Sequence, residues 1–324
     1  MIRMQYNRLG NSGLKLSAIG LGTNAFGKRA DRAASHGIIE AALERGVSFI
    51  DTANIYAGTQ SETIIGEALK GKRDLVVLTT KAGLPTGSGV YDRGSSRRHL
   101  TQQLDASLKR LQTDYVDLFQ IHTFDPETPL EETLRCLEHF IQAGKVRYIG
   151  CSNYYAWELM KALGISKELG ISSYISHQTS YSLADRTPER ELIPLCIDQG
   201  IGIIPYFPLA GGILTGKYSQ GVPQGSRAET DPNFNRFITD KTLLLSQQVN
   251  ELAHELNTTA NVLSIAWLLH QPVVSSVIVG ATKQAQLNNN LQALELKLSA
   301  AVLEKLDAIS SSFKHGEPFA LYRI

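Results

Sequence analysis

The sequence predicts an α/β chain folded as a (β/α)8 TIM barrel with a β-hairpin capping the barrel bottom. Three observations lead there. Eight strand-like runs of β-branched and apolar residues recur along the 324 residues, at 16–23, 47–53, 75–81, 116–122, 146–152, 173–178, 201–208 and 274–280. Between them lie amphipathic stretches with apolar residues at helical spacing, as at 34–46, 61–71, 99–111 and 129–144, several of them ending on a glycine suited to a left-handed cap. The runs are near-continuously apolar, as in "IGIIPYFP" (201–208), which marks parallel strands covered by helices. Eight such units close into a barrel, so one domain over 1–324 accounts for the whole length.

The remaining elements follow in order. Ahead of the first unit, "QYNRLGNSGLKLS" has two short alternating segments around Asn11-Ser12-Gly13, which predicts the hairpin. The first helix is delayed to about Asp31 by "FGKRADRAAS". Segment 219–237 is polar, rich in Gly and Pro, and too long for an idle connection, so a flap is expected there. After the eighth strand, "SAAVLEKLDAISSSF" reads as a helix, and "KHGEPFALYRI" as a tail whose aromatic residues fold back over the barrel mouth.

Composition narrows the function classes. With 43% apolar, 19% charged and 7% aromatic residues the chain can build a large core. The 32 Lys and Arg nearly cancel the 31 Asp and Glu, leaving a formal charge of +1, so no long-range field gathers nucleic acid or anionic membrane. A small ligand is the expected partner. Cys136, Cys151 and Cys196 form neither a C-x-x-C pair nor an even-numbered framework and read as reduced core residues. The start lacks a long apolar h-region and no apolar run of membrane-spanning length occurs, so a cytoplasmic protein is expected.

In such a barrel the carboxyl ends of all strands face one mouth. Those ends carry Gly22 and Thr23, Asp51, Lys81, His122, Ser152 and Asn153, Gln178, Tyr206 and Gly280, with Tyr56 on the loop after the second strand. A phenol titrates near pH 10, too high for easy proton transfer near neutrality, so Tyr56 needs a neighbour that favours phenolate. Lys81 is that neighbour, and Asp51 keeps the lysine charged in a dry cavity. His122 then polarises a carbonyl oxygen. Taken singly, Asp51 is equally well a helix or loop cap, Tyr56 a packing residue, Lys81 a snorkelling side chain and His122 a core histidine. Their convergence at one face decides for chemistry. Nothing here is a nucleophile with a dedicated base, and acid catalysis without one fits hydride transfer to a carbonyl.

At this point the sequence resembles the aldo-keto reductase superfamily over nearly its whole length, through "DTANIYAGTQSE" (51–62), "LTTKAG" (78–83), "SLKRLQTDYVDLFQIH" (107–122), "GKVRYIGCSNY" (144–154), "QTSYSL" (178–183), "PYFPLAGGILTGKY" (205–218) and "VIVGATKQAQLNNN" (277–290). "PYFPL" and "GTNAFG" look closest to bacterial members of the branch that contains the potassium-channel β-subunits and sugar or inositol-related reductases. The resemblance implies NADP(H), with NAD(H) as a possible second carrier, bound in extended form, and an aldehyde, ketone or alcohol as substrate. It assigns Tyr56 as proton donor, Lys81 and Asp51 as its tuners, and His122 as the group orienting the carbonyl. It also implies that Ser152, Asn153 and Gln178 bind the carboxamide and that Tyr206 stacks under the nicotinamide. Gly22 and Thr23 would line the same site. The run Phe207, Pro208, Leu209 and Gly211, with Lys217 and Arg227, would embrace the pyrophosphate. Gly280, Thr282, Lys283, Gln286, Asn289 and Asn290 would hold the adenosine end. Three departures touch these roles: Gln286 stands where strongly NADP-preferring branches often place arginine, and "TFD" after His122 and "AGTQSE" after Tyr56 reshape the substrate pocket.

Other readings are open to the same residues. "GLGTNA" (20–25) fits the dinucleotide fingerprint G-x-G-x-x-G/A, yet the helix begins too late to offer its N-terminus to a pyrophosphate. A metal-dependent hydrolase is disfavoured, because only His122 among histidines falls at a strand end, and no metal is expected. The rival from another class is a cofactor-binding regulatory protein, related to channel β-subunits, that senses nicotinamide redox state with slow turnover. Monomer and homo-oligomer both remain open.

Overall fold

The computed structural model describes residues 3–218, 227–230, 232–320 and 322–324. Its first element is the expected hairpin, in which β1 (Tyr6–Arg8) pairs antiparallel with β2 (Lys15–Ser17), Tyr6 lying opposite Ser17. Eight parallel strands follow: β3 (Ile19–Gly22), β4 (Phe49–Asp51), β5 (Val77–Ala82), β6 (Val116–Ile121), β7 (Val146–Ser152), β8 (Ser176–Ser180), β9 (Gly202–Tyr206) and β10 (Val277–Gly280). They neighbour one another in chain order and β10 returns to β3, pairing Val277 with Ile19. Residues 273–275, just ahead of β10, close the ring on β9 through Ile203 N–H to Val273 O and Ser275 N–H to Ile203 O.

Helices cover the outside: α1 (Arg32–Glu44), α2 (Gln60–Ala68), α3 (Arg97–Leu111), α4 (Leu130–Gln142), α5 (Ala156–Leu169), α6 (Leu192–Gln199), α7 (Arg227–Thr230), α8 (Asp240–Glu255), α9 (Ala260–Leu269), α10 (Gln284–Leu291) and α11 (Ala300–Ser310). Local chemistry sets their starts. Asp31 caps α1 by accepting from Ala34 N–H, and Ser96 caps α3 by accepting from His99 N–H. In α4 the buried Leu130, Leu134, Leu137 and Phe140 recur at helical spacing and face the sheet. Helix α2 stops at Ala68, short of the expected 71, because the chain turns through left-handed Gly71 into a 3-10 turn at Arg73–Leu75. Of the expected flap, α7 and a 3-10 turn at Pro232–Phe237 are described, and 219–226 and residue 231 lie outside the described residues.

Alternation along the strands sorts the core into two layers. Phe49, Leu118, Ile204 and Ile278 point into the barrel and form one cluster with Leu9 and Leu16 of the hairpin. Ile50, Phe119, Ile203 and Val279, one residue away in each strand, belong to the larger cluster between sheet and helices. The same parity turns Asp51 and Gln120 inward one step above the apolar layer, and Lys81 and His122 one inward step higher still. The hairpin is fixed at the lower end by Ser17, whose hydroxyl accepts from Ser48 and Phe49 N–H, and by Asn7 Nδ2, which donates to Ser275 O.

Leu16 is fully buried in that lower cluster. Leu16→Ala should lower the unfolding free energy by about 2–5 kcal/mol, read from urea denaturation. An unchanged midpoint would mean that the hairpin is not part of the cooperative core.

Candidate active site

Register brings the inward polar residues together. In the β4–β5 pair Asp51 lies opposite Thr79, which sets Lys81 one inward step higher on the adjacent strand. Lys81 Nζ donates to Asp51 Oδ2 at 2.8 Å, to Thr52 O at 2.8 Å and to Tyr56 Oη at 3.4 Å. The other Asp51 oxygen accepts from Gln178 Nε2 at 2.9 Å, across the barrel on β8. Tyr56 is held by a tight turn in which Ala57, Gly58 and Thr59 are all left-handed, with φ of 51°, 60° and 78°. Its ring meets His122 edge-on with centroids 6.0 Å apart. All four expected residues therefore converge.

Burial governs their protonation. The Tyr56 phenol is pushed well above its usual range by burial, with Asp51 and Tyr322 adding to the effect, so it carries its proton. Because Lys81 donates to the phenolic oxygen, the Tyr56 hydrogen itself points to another acceptor. The Lys81 ammonium is pulled below its usual range by burial, against which the charge and hydrogen bond of Asp51 hold it up. His122 is pushed well down by burial and by the nearby Lys81 charge, and its imidazole is neutral. Among the described residues its buried Nδ1 has no hydrogen-bond partner.

A cavity of about 760 Å³ opens above this group. Its wall at the catalytic end takes Gly22, Thr23, Asp51, Tyr56, His122, Ser152, Asn153, Gln178 and Tyr206. Further along come Phe207, Pro208, Leu209, Gly211 and Lys217, then Gly280, Thr282, Gln286, Asn289 and Asn290. Lys81 lies beneath the wall, fully buried. Lys283 is exposed and outside the lining, and the Arg227 side chain lies outside the described residues.

The polar groups of the wall are oriented by one another. Ser152 Oγ donates to Gln178 O at 2.9 Å, and Asn153 Nδ2 donates to His122 O at 2.8 Å. This leaves Asn153 Oδ1 to accept from Tyr206 Oη at 2.7 Å. At the far end, Gln286 Oε1 accepts from Thr282 N–H, Thr282 Oγ1 and Lys283 N–H, closing the start of α10. Between the two ends the backbone runs through left-handed Phe207, Ala210, Gly211 and Gly212, a concave turn of the kind that cradles anions. At Gly211 a Cβ would fall 2.2 Å from the Phe234 ring, so only glycine fits.

Sequence reasoning missed several wall residues. Asn24, Arg29, Ile55, Leu84 and Asn261 line the cavity from loops or, for Asn261, from α9, where no strand-end rule reaches. Asn261 Nδ2 donates to Asn290 Oδ1 at 2.9 Å, a contact that only the packing of α9 on α10 reveals. Tyr322 joins the wall from the tail, in line with the expected return of aromatic residues to the mouth.

A model of the aldo/keto reductase family matches residues 18–311. The chain is 37% identical over 320 residues to a "Probable voltage-gated potassium channel subunit beta" of Arabidopsis thaliana, covering 95% of this chain and 97% of that one. It is 36% identical over 317 residues to "Uncharacterized oxidoreductase YrpG" of Bacillus subtilis, covering 94% and 96%. It is likewise 36% identical over 319 residues to "L-glyceraldehyde 3-phosphate reductase" of Escherichia coli, covering 94% and 92%. The chain belongs to the aldo/keto reductase family. Membership and the oxidoreductase relatives support a carbonyl-reducing oxidoreductase in general. Among the described residues no helix is long and apolar enough to cross a membrane, and no group of three His, Cys, Asp or Glu is placed to hold a metal.

His177, buried beside the site on β8, is held down to about 4 chiefly by burial. It stays neutral in the fold while the unfolded chain takes up its proton near pH 6.5, so its contribution is full above that pH and is lost as pH falls. Between pH 7 and 5 the loss should be roughly 2 kcal/mol for this group, with His122 adding to it. Denaturant unfolding across that range checks the slope, and a flat profile would contradict it.

Proposed function

We propose that the chain reduces an aldehyde or ketone to the alcohol, using a nicotinamide dinucleotide and Tyr56 as the general acid. The observation that carries this reading is the Tyr56 hydroxyl on the cavity wall, its oxygen accepting from the buried Lys81 and its hydrogen directed elsewhere. The residues present fit such a cofactor. A hydroxyl and two amides surround the catalytic end, a concave glycine turn with Lys217 lies midway, and the start of a helix lies at the far end. When bound, the nicotinamide supplies a hydride to the carbonyl carbon.

Tyr56 gives its proton to the carbonyl oxygen as that oxygen becomes an alkoxide, so one C–H and one O–H bond form and a phenolate remains. Lys81 stabilises the phenolate through the 3.4 Å contact, and Asp51 keeps Lys81 charged. His122, neutral, orients the carbonyl by hydrogen bonding. Ser152, Asn153 and Gln178 hold the carboxamide, and Tyr206 backs the nicotinamide ring. Phe207, Pro208, Leu209, Gly211 and Lys217 face the pyrophosphate, where the resemblance also assigns Arg227. Thr282, Lys283, Gln286, Asn289 and Asn290 hold the adenosine end. NADP(H) is our reading of the carrier, with NAD(H) second, acting within one cytoplasmic barrel domain.

The similarity to a channel β-subunit favours a second reading, a redox-sensing regulator with slow turnover. Slow NADPH oxidation with every carbonyl of a broad aldehyde, ketone and sugar panel would favour it. Tyr56→Phe should lower carbonyl reduction by about 10²–10⁴-fold while NADPH affinity stays nearly intact. Equal activity would remove Tyr56 from its role. Lys217→Ala should weaken NADPH and NADH alike in equilibrium titrations; unchanged affinity for both would remove it from the pyrophosphate site.

A further inference from the structure

Asn153 occupies an unusual position. Its backbone is left-handed, with φ of 59°, although it carries a side chain, and that side chain is the hub of the wall, joined to His122 O, Ser152 Oγ and Tyr206 Oη. Its own carbonyl is not left to the loop. Arg323 Nη1 donates to Asn153 O at 3.0 Å, and the same guanidinium forks onto Glu158, at 3.0 Å to Oε2 and 2.7 Å to Oε1. Glu158 is 2% exposed and also accepts from Tyr155 N–H at the start of α5. A buried carboxylate of this kind demands a fixed cation, and Arg323, reaching in from 165 positions away, is the cation it meets.

The segment that carries Arg323 is tied to the mouth at two further points. Thr123 Oγ1, next to His122, donates to Tyr322 O at 2.6 Å, and Tyr206 Oη lies 2.8 Å from Ala320 O. One phenolic hydrogen faces two acceptors, Asn153 Oδ1 and Ala320 O. Any shift of the tail thus changes what Tyr206 and Asn153 can offer to a neighbour.

We propose that Arg323 is a positioning residue: by clamping buried Glu158 and the Asn153 carbonyl together, it holds Asn153 in the orientation that binds the nicotinamide carboxamide. This rests on the nicotinamide site proposed above. Arg323 itself need touch neither substrate nor cofactor.

Equilibrium titration of four proteins tests the clamp: the parent chain, Arg323→Ala, Arg323→Lys, and the double variant Glu158→Gln/Arg323→Ala, which leaves no uncompensated buried charge. Each is titrated with NADPH and with the 2′-phosphorylated ADP-ribose that lacks the nicotinamide. The double variant should bind NADPH on the order of 10-fold more weakly, with the ring-free fragment changed by less than about twofold, a size typical of coupling between sites. Arg323→Lys, keeping the charge without the fork, should fall between. Equal weakening of both ligands would reduce Arg323 to a structural role, and unchanged affinity for both would overturn the clamp while leaving the nicotinamide site standing. A parent chain that binds neither NADPH nor NADH would overturn the site and the clamp together.

Discussion

The site is organised by one buried ammonium. Lys81 is fully buried, and an ammonium has three hydrogens to place; the fold supplies a carboxylate, a backbone carbonyl and a phenol for them. Each partner comes from a different demand on the chain. Asp51 requires β4 in its observed register, Thr52 O requires the strand to end there, and Tyr56 requires three successive left-handed residues after it. A charge in this position without partners would be costly enough to expel itself by losing its proton. The geometry of the mouth and the charge on the lysine are therefore a single constraint.

Much of the fold was legible, for a definite reason. All eight strands were readable because parallel strands buried on both sides are written as apolar runs, and the carboxyl end of each run then told which residues face the mouth. Asp51, Lys81 and His122 emerged from the strand ends alone, and Tyr56 from its place on the loop just after Asp51. Strand lengths were less legible: 47–53 shrank to Phe49–Asp51, since apolar residues continue past the last ladder hydrogen bond. The hairpin was marked by its Asn-Ser-Gly turn.

What stayed hidden depends on loops and on long-range packing. Arg29, Leu84 and Asn261 reach the cavity from segments whose direction no periodicity sets. Glu158 reads as an ordinary helix-start acid, and its burial becomes visible only once Arg323 is seen to cross over it. Lys283, assigned to the adenosine end by resemblance, stands exposed at the start of α10, where Gln286 closes the turn. The residues chosen by strand position lie in the wall, with Lys81 just beneath it, because the barrel turns every strand end toward one mouth.

The hairpin below the barrel has an effect on the charges far above it. With Leu9 and Leu16 packed against Phe49, Leu118, Ile204 and Ile278, the lower end is stoppered by hydrocarbon, and the barrel is a blind well rather than a pore. Solvent can approach the ammonium from the mouth alone. Whatever fills the mouth therefore sets the dielectric around the pair, so occupancy by any sizeable molecule would sharpen every electrostatic contact at the bottom of the well.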